Sequence, residues 1–343
     1  ALDDNGQEPY GATGNRRKLS LVSTLKLGDD NMSHSITGAV DYKNEIYRGT
    51  SSYFAGANPF RSNDNMGFVG QYQLSIANRF GFGASLRHDI NERFRDATTW
   101  RVQSSYRFDT ATRLHAAVGT AMKAPIFTEI FGYDPSGGFI GNPNIKPEYS
   151  TGWEAGVEQT FWGDKVRIDI TYFNAKLQDK ITVVLAEVDP EDPEPVYNLT
   201  VINALGKSPH EGVEVSAAVR LPSGWYADAS YTYLDATTEF GQRLVRRPKH
   251  IGSANLGWRA KDNRYGGNLT IRHNGAALDN NFATYAVETL DAFTIVNLSA
   301  DMEILPSMTL YGRVENLLDS DYRENIGFLP AGRAAYAGVR LRF

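Results

Sequence analysis

Cysteine is absent from all 343 residues, which excludes a disulfide-braced scaffold and any thiolate metal centre. Long apolar runs are missing as well: no window holds the roughly 18 uninterrupted apolar residues of a membrane helix. Basic charge is not in surplus, since 35 Lys and Arg face 40 Asp and Glu for a net charge of -5, so there is no electrostatic footprint for nucleic acid. The start, Ala1, carries neither Met nor a signal peptide, and processing or truncation is expected. What the chain has in quantity is aromatic residues and glycine, with 18 Tyr, 17 Phe and 32 Gly, a mixture suited to strands and tight turns. Its mean hydropathy of -0.39 is that of a water-soluble protein, but the average misleads where only alternate residues of a strand meet lipid.

Alternation is the strongest local pattern. Ala335, Ala337, Val339, Leu341 and Phe343 share one face of a terminal strand, and Tyr336, Gly338, Arg340 and Arg342 the other, as period two dictates. One face suits hydrocarbon and the other a polar interior. Strands of a soluble sandwich alternate too, so the rest of the chain has to decide. Val166, Ile168, Ile170 and Tyr172 oppose Lys165, Arg167, Asp169 and Thr171, and Val213, Val215, Ala217 and Val219 oppose Glu214, Ser216, Ala218 and Arg220. An Arg or Lys near the middle of a lipid-facing surface costs roughly 2–4 kcal/mol, so this sorting carries weight.

Reading such runs between turn residues places fifteen strands, near 15–27, 33–43, 66–77, 82–91, 98–108, 112–121, 150–161, 164–176, 210–221, 224–235, 250–259, 264–274, 290–303, 307–318 and 332–343. Short turns at 28–32, 78–81, 109–111, 162–163, 222–223, 260–263 and 305–306 alternate with mostly much longer connections. Short periplasmic turns and long extracellular loops mark an outer-membrane barrel, which puts the C-terminus in the periplasm. Bacterial single-chain barrels have even strand numbers. Fifteen strands leave 1–14 on the extracellular side, where the segment reads as the tail of a loop. The expectation is a portion of a larger barrel, because an open sheet would strand unpaired backbone groups in lipid.

Two segments carry a family resemblance. Ala121-Met122-Lys123-Ala124-Pro125-Ile126-Phe127-Thr128-Glu129-Ile130-Phe131, followed by Gly141-Asn142-Pro143-Asn144-Ile145-Lys146-Pro147-Glu148, resembles the paired signature of TonB-dependent outer-membrane receptors. Val314-Glu315-Asn316-Leu317-Leu318-Asp319-Ser320-Asp321-Tyr322, Gly332-Arg333 and the terminal Phe343 resemble that family's final hairpin. The resemblance implies an all-β transmembrane antiparallel barrel of about 22 strands enclosing a plug, of which residues 1–343 supply the last fifteen strands. Plug, early strands and the TonB-contacting segment are then outside this chain. It also implies energised import of a scarce ligand, in the outer membrane of a Gram-negative bacterium. The expected partners are outer-membrane lipid, TonB, the plug with the early strands, and either a ferric siderophore or cobalamin. Gly141-Asn142-Pro143-Asn144, Ser208-Pro209-His210-Glu211-Gly212-Val213-Glu214 and Ala331-Gly332-Arg333 are similar to cobalamin receptors in particular, though siderophore receptors share these pieces. No His lies between His115 and His210, which disfavours a haem receptor.

Ligand contacts are expected in the long loops, where aromatics and Arg suit a rigid, partly apolar, partly anionic molecule. The candidates are Tyr47, Tyr53, Phe54, Phe60 and Arg61; Tyr133, Asp134 and Phe139; Arg243, Arg246 and Arg247; Phe282 and Tyr285; and Tyr322, Arg323 and Phe328. The competing role for loop-base aromatics is an interfacial girdle. No cofactor, metal ligand or catalytic residue is assigned. Alternatives are a passive porin, or a hydrolase with a rim site at Arg87-His88-Asp89, although no nucleophile accompanies that His. The acidic run 187–195 has carboxylates for a hard cation, but its prolines favour a solvated hairpin.

Overall fold

The computed structural model describes residues 11–50, 60–132, 139–187, 197–284 and 286–343. Strands dominate: β1 Gly11–Gly28, β2 Met32–Thr50, β3 Phe60–Ile76, β4 Phe80–Asn91, β5 Ala97–Arg107, β6 Thr112–Lys123, β7 Glu148–Phe161, β8 Val166–Gln178, β9 Ile181–Glu187 and β10 Tyr197–Asn203. They continue with β11 Lys207–Arg220, β12 Trp225–Ala236, β13 His250–Arg259, β14 Tyr265–Asn274, β15 Ala277–Asn281, β16 Ala286–Leu290, β17 Phe293–Leu305, β18 Met308–Glu315 and β19 Ala334–Leu341. A single short helix, α1, spans Phe127–Phe131 among the described residues.

Fifteen of these strands form one sheet, in the order β1-β2-β3-β4-β5-β6-β7-β8-β11-β12-β13-β14-β17-β18-β19. All fifteen strands expected from alternation are present, and each short turn falls within a few residues of its expected place, the one expected at 78–81 lying at 77–79. β9–β10 and β15–β16 are separate two-stranded hairpins; the first flanks the acidic run, where a hairpin is expected, and the second lies in a connection that reads as a plain loop. The 92–96 connection between β4 and β5 is scarcely longer than a turn. Gly11–Gly14, expected as the tail of a loop, is strand, because its backbone continues the β2 ladder through Gly11↔Thr50 to Gly14↔Tyr47. β2 and β3 likewise run past their expected ends, so Tyr47, Phe60 and Arg61 lie on strands, paired as Tyr47↔Arg61 and Arg48↔Phe60.

Contacts group the chain into two compact units, Ala1–Ser105 with Ala117–Gly152 and Lys176–Ser208, and Tyr106–Ala116 with Trp153–Ala175 and Pro209–Phe343. In the first, Leu21, Leu25, Ile36, Phe68, Leu86 and Ile90 stand exposed on one face of the sheet. The opposite face carries charges paired across strands: Arg16 to Glu45 at 2.6 Å, and Arg87 to Asp41 at 2.9 Å and Asp89 at 2.7 Å. In the second, Val157, Ile170, Leu256, Leu298, Val339 and Leu341 are the exposed apolar set. Arg113–Glu158 at 3.1 Å, His115–Asp169 at 2.9 Å and Arg259–Asp301 at 2.6 Å lie on the polar face. A surface this apolar is unstable in water and suits a bilayer.

Small residues on the polar face make room for large neighbours. A Cβ on Gly338 would lie 2.6 Å from Tyr311 Cζ, its cross-strand partner, so the ring covers the glycine as edge-strand design requires. Short turns rely on left-handed residues such as Gly28 (φ 98), Asn78 (φ 53) and Asn263 (φ 61). In the first of them the Asp29 carboxylate accepts the Asn31 and Met32 amides, each at 2.9 Å.

Candidate functional site

Two groupings of candidate residues emerge, one in each unit. In the first unit, Tyr47 and Arg61 project from the polar face of β2 and β3 opposite each other. Helix α1 brings Phe127 and Phe131 to meet them, at the i, i+4 spacing that stacks side chains on one helix face. The Tyr47 and Phe127 rings are 5.9 Å apart, and Phe127 and Phe131 6.0 Å. The Arg61 guanidinium lies 4.7 Å from the Phe131 centroid and that of Arg93 6.0 Å, within cation–π range. Among the described residues, Arg61 Nε and Asn63 Oδ1 are both buried without a hydrogen-bond partner, a costly state for a donor and an acceptor. Phe60 beside them is 63% exposed.

The segment 139–148 behind this cluster is built as a clamp. Asn142 donates its side-chain amide to the Val201 carbonyl at 2.9 Å, and its Oδ1 accepts the Asn144 amide. Asn203 accepts the Lys146 amide and donates back to the Lys146 carbonyl, both at 2.9 Å. Glu148 accepts the Ile181 amide at 2.8 Å. Phe139 is buried with Ile130, Ile145 and Val201, so this candidate supports the β9–β10 hairpin and is not presented for contact.

In the second unit the long connections 237–249, 275–292 and 316–333 meet at Asp279, a residue the sequence pattern does not single out. Its carboxylate is fully buried. It accepts from Arg246 Nε at 2.6 Å and from the Ile326 and Asn280 amides at 2.8 and 2.9 Å. Burial drives this carboxyl's pKa upward, but the Ile326 amide, the Arg246 guanidinium and the Asn280 amide together hold it below its ordinary value. Arg246 (φ 56) also donates its own amide to the Leu278 carbonyl at 2.6 Å. Tyr322 packs on Phe293 at 4.9 Å, Arg272 covers the same ring at 5.6 Å, and Arg272 pairs with Glu324. Tyr322, Arg272, Asn297, Arg313 and Glu315 line a cavity of about 480 Å³. Arg323 is exposed, as are Phe282 (70%) and Phe328 (73%). Arg243 reaches the Ala276 carbonyl at 3.5 Å and Arg247 the Arg246 carbonyl at 3.1 Å. Candidates Tyr53, Phe54, Tyr133, Asp134 and Tyr285 lie outside the described residues, as does 188–195 of the acidic run.

The tail motif is also structural. Asn316 (φ 49) ends β18. Its side chain accepts the Ser320 amide and donates to the Ser320 carbonyl, both at 2.9 Å, and its own amide donates to Asn297. In the Ser208–Glu214 motif a Cβ on Gly212 would collide with the Tyr233 carbonyl oxygen, and Glu211 accepts from Tyr172 and Asn174. The Arg87-His88-Asp89 run forms no His–Asp pair: Asp89 is held by Arg87, while His88, one residue out of phase, turns to the other face and meets Thr98 at 2.9 Å. Strand alternation separates the two groups a hydrolase would need together.

Residues 3–317 match the family model described as TonB dependent receptor-like, beta-barrel. The chain belongs to the TonB-dependent receptor family. The vitamin B12 transporter BtuB of Photobacterium profundum is 27% identical over 264 residues, covering 76% of this chain and 40% of the relative. The ferric enterobactin receptor PfeA of Pseudomonas aeruginosa, solved as a mutant in complex with enterobactin, superposes with a TM-score of 0.82 at 19% identity, over 99% of this chain and 56% of that one. The siderophore receptor PirA of the same species gives 0.75 at 20% identity, over 96% and 57%. The receptor chain therefore spans about half the length of the relatives it matches, or less. Its sheet is a fifteen-strand portion of an outer-membrane barrel, whose polar face lines the interior and whose apolar face meets lipid.

Proposed function

We propose that the receptor captures a scarce ligand, a ferric siderophore or cobalamin, at the long-loop end of its barrel and imports it with energy delivered through TonB. Family membership carries this reading. A BtuB relative supports cobalamin, and the likeness in fold to siderophore receptors is compatible with a ferric complex. The short-turn end faces the periplasm, and the plug, the remaining strands and the TonB-contacting segment belong to the rest of the parent protein. The Tyr47–Phe127–Phe131–Arg61 cluster is the best-built capture surface, since it offers stacked rings, two guanidinia and two polar atoms unpaired among the described residues. Binding of labelled ferric siderophore and of labelled cyanocobalamin to cells expressing the parent, with and without TonB, tests the reading. Saturable binding of one ligand with TonB-dependent accumulation is expected; free passage of small sugars through the parent without TonB would replace the reading with a porin.

A further inference from the structure

We propose that Asp279 fastens the three long connections 237–249, 275–292 and 316–333 into one body, so that they move together when any one of them is touched. This rests on the reading of those connections as the capturing end, but its test does not. Each connection supplies a different group to the same carboxylate: Arg246 its guanidinium, Asp279 the acid itself, and Ile326 its backbone amide. A second tie runs alongside, from the Arg246 amide to the Leu278 carbonyl. The carboxylate has no solvent exposure, so water cannot replace a lost partner without the junction opening, and opening exposes both ties that the carboxylate makes to the other connections. Buried, fully satisfied polar networks behave as single units for this reason.

The arrangement also explains the separate β15–β16 hairpin. Paired Asp279↔Glu288 and Ala277↔Leu290, it presents Asp279 on a short rigid ladder, which a flexible loop could not do. The candidates Arg243, Arg246, Arg247, Phe282, Tyr322, Arg323 and Phe328 all ride on the three fastened connections. Asp279 acts as a positioning residue for them and need not touch ligand.

Hydrogen exchange on the full-length, ligand-free receptor tests the fastening. In Asp279→Ala, protection in all three connections falls together by on the order of 100-fold, as expected from breaking a buried charged junction, while β11–β14 and β17–β18 keep theirs. Spin labels at Arg243, Phe282 and Phe328 give narrow pairwise distances in the parent and broad ones in the variant for every pair. Loosening confined to 275–292, or no change, overturns the proposal. Should Asp279→Ala fail to fold, Asp279→Asn keeps the shape but faces one of its donors with an amide group, and the same joint loosening is expected. Because no ligand enters the experiment, it fails or succeeds independently of the capture reading.

Discussion

Asp279 shows how much one side chain can organise without any warning in its local sequence. An Asp inside Ala277-Leu278-Asp279-Asn280-Asn281 reads as loop polarity, and only the fold reveals that donors from distant connections converge on it. Its acid dependence follows from the lowered pKa. A carboxyl whose folded pKa is depressed contributes stability fully above its unfolded value and loses it as pH falls through the folded one. The groups around it are Arg246, whose guanidinium donates to it, and Glu288 across the hairpin, which is exposed and held by Asn281 at 2.7 Å. Acidification below the ordinary carboxylate range is therefore expected to loosen 237–249, 275–292 and 316–333 before the wall, with loop-label mobility changing while strand circular dichroism does not. Arg61 stands at the opposite limit of legibility. Arg with aromatics marked it from sequence, yet Phe127 and Phe131, quoted for the family signature, went unassigned because five helical residues inside a long connection leave no periodicity to read.

At the level of elements, the strands were legible because burial by lipid imposes period two as strictly as a protein core does. Leu298 and Ser299 illustrate the rule: adjacent in sequence, they pair with Val314 and Arg313 respectively, one row facing lipid and the other the interior. Leu298→Arg is expected to destabilise the refolded receptor by about 2–4 kcal/mol in vesicles, whereas Ser299→Arg, on the face that carries Asp301, costs less than about 1 kcal/mol; urea titration distinguishes them. The strands of the hairpins β9–β10 and β15–β16 are less legible, the first pair being marked only by the acidic run between them. They are held by tertiary partners, Val201 and Ile181 packing around Phe139 and Ile145 in one and the Asp279 junction in the other, so their pairing is decided outside their own sequence. The signature motifs proved to be clamps, turns and close approaches. That is why they identify the family well and say little about its cargo.

For the whole molecule, β1 and β19 stand at the two ends of the strand order, and in hydrocarbon an unpaired strand edge is not tolerated. Residues 1–343 expressed alone are expected to fail to insert as a heat-modifiable species on gels, and co-expression with the remainder of a full-length relative's barrel should restore insertion; stable insertion of the chain by itself would contradict this. The strand order has one more consequence, and it concerns time. Each strand of the sheet pairs with its sequence neighbour except where β8 meets β11 and β14 meets β17. At both exceptions a hairpin closes the intervening chain on itself, with Ile181↔Asn203 in one case and Ala277↔Leu290 in the other. The entropy of loop closure is thus met locally, before the flanking strands need to find each other. Within this fifteen-strand portion the wall can therefore grow by successive addition of strands, each beside one already in place.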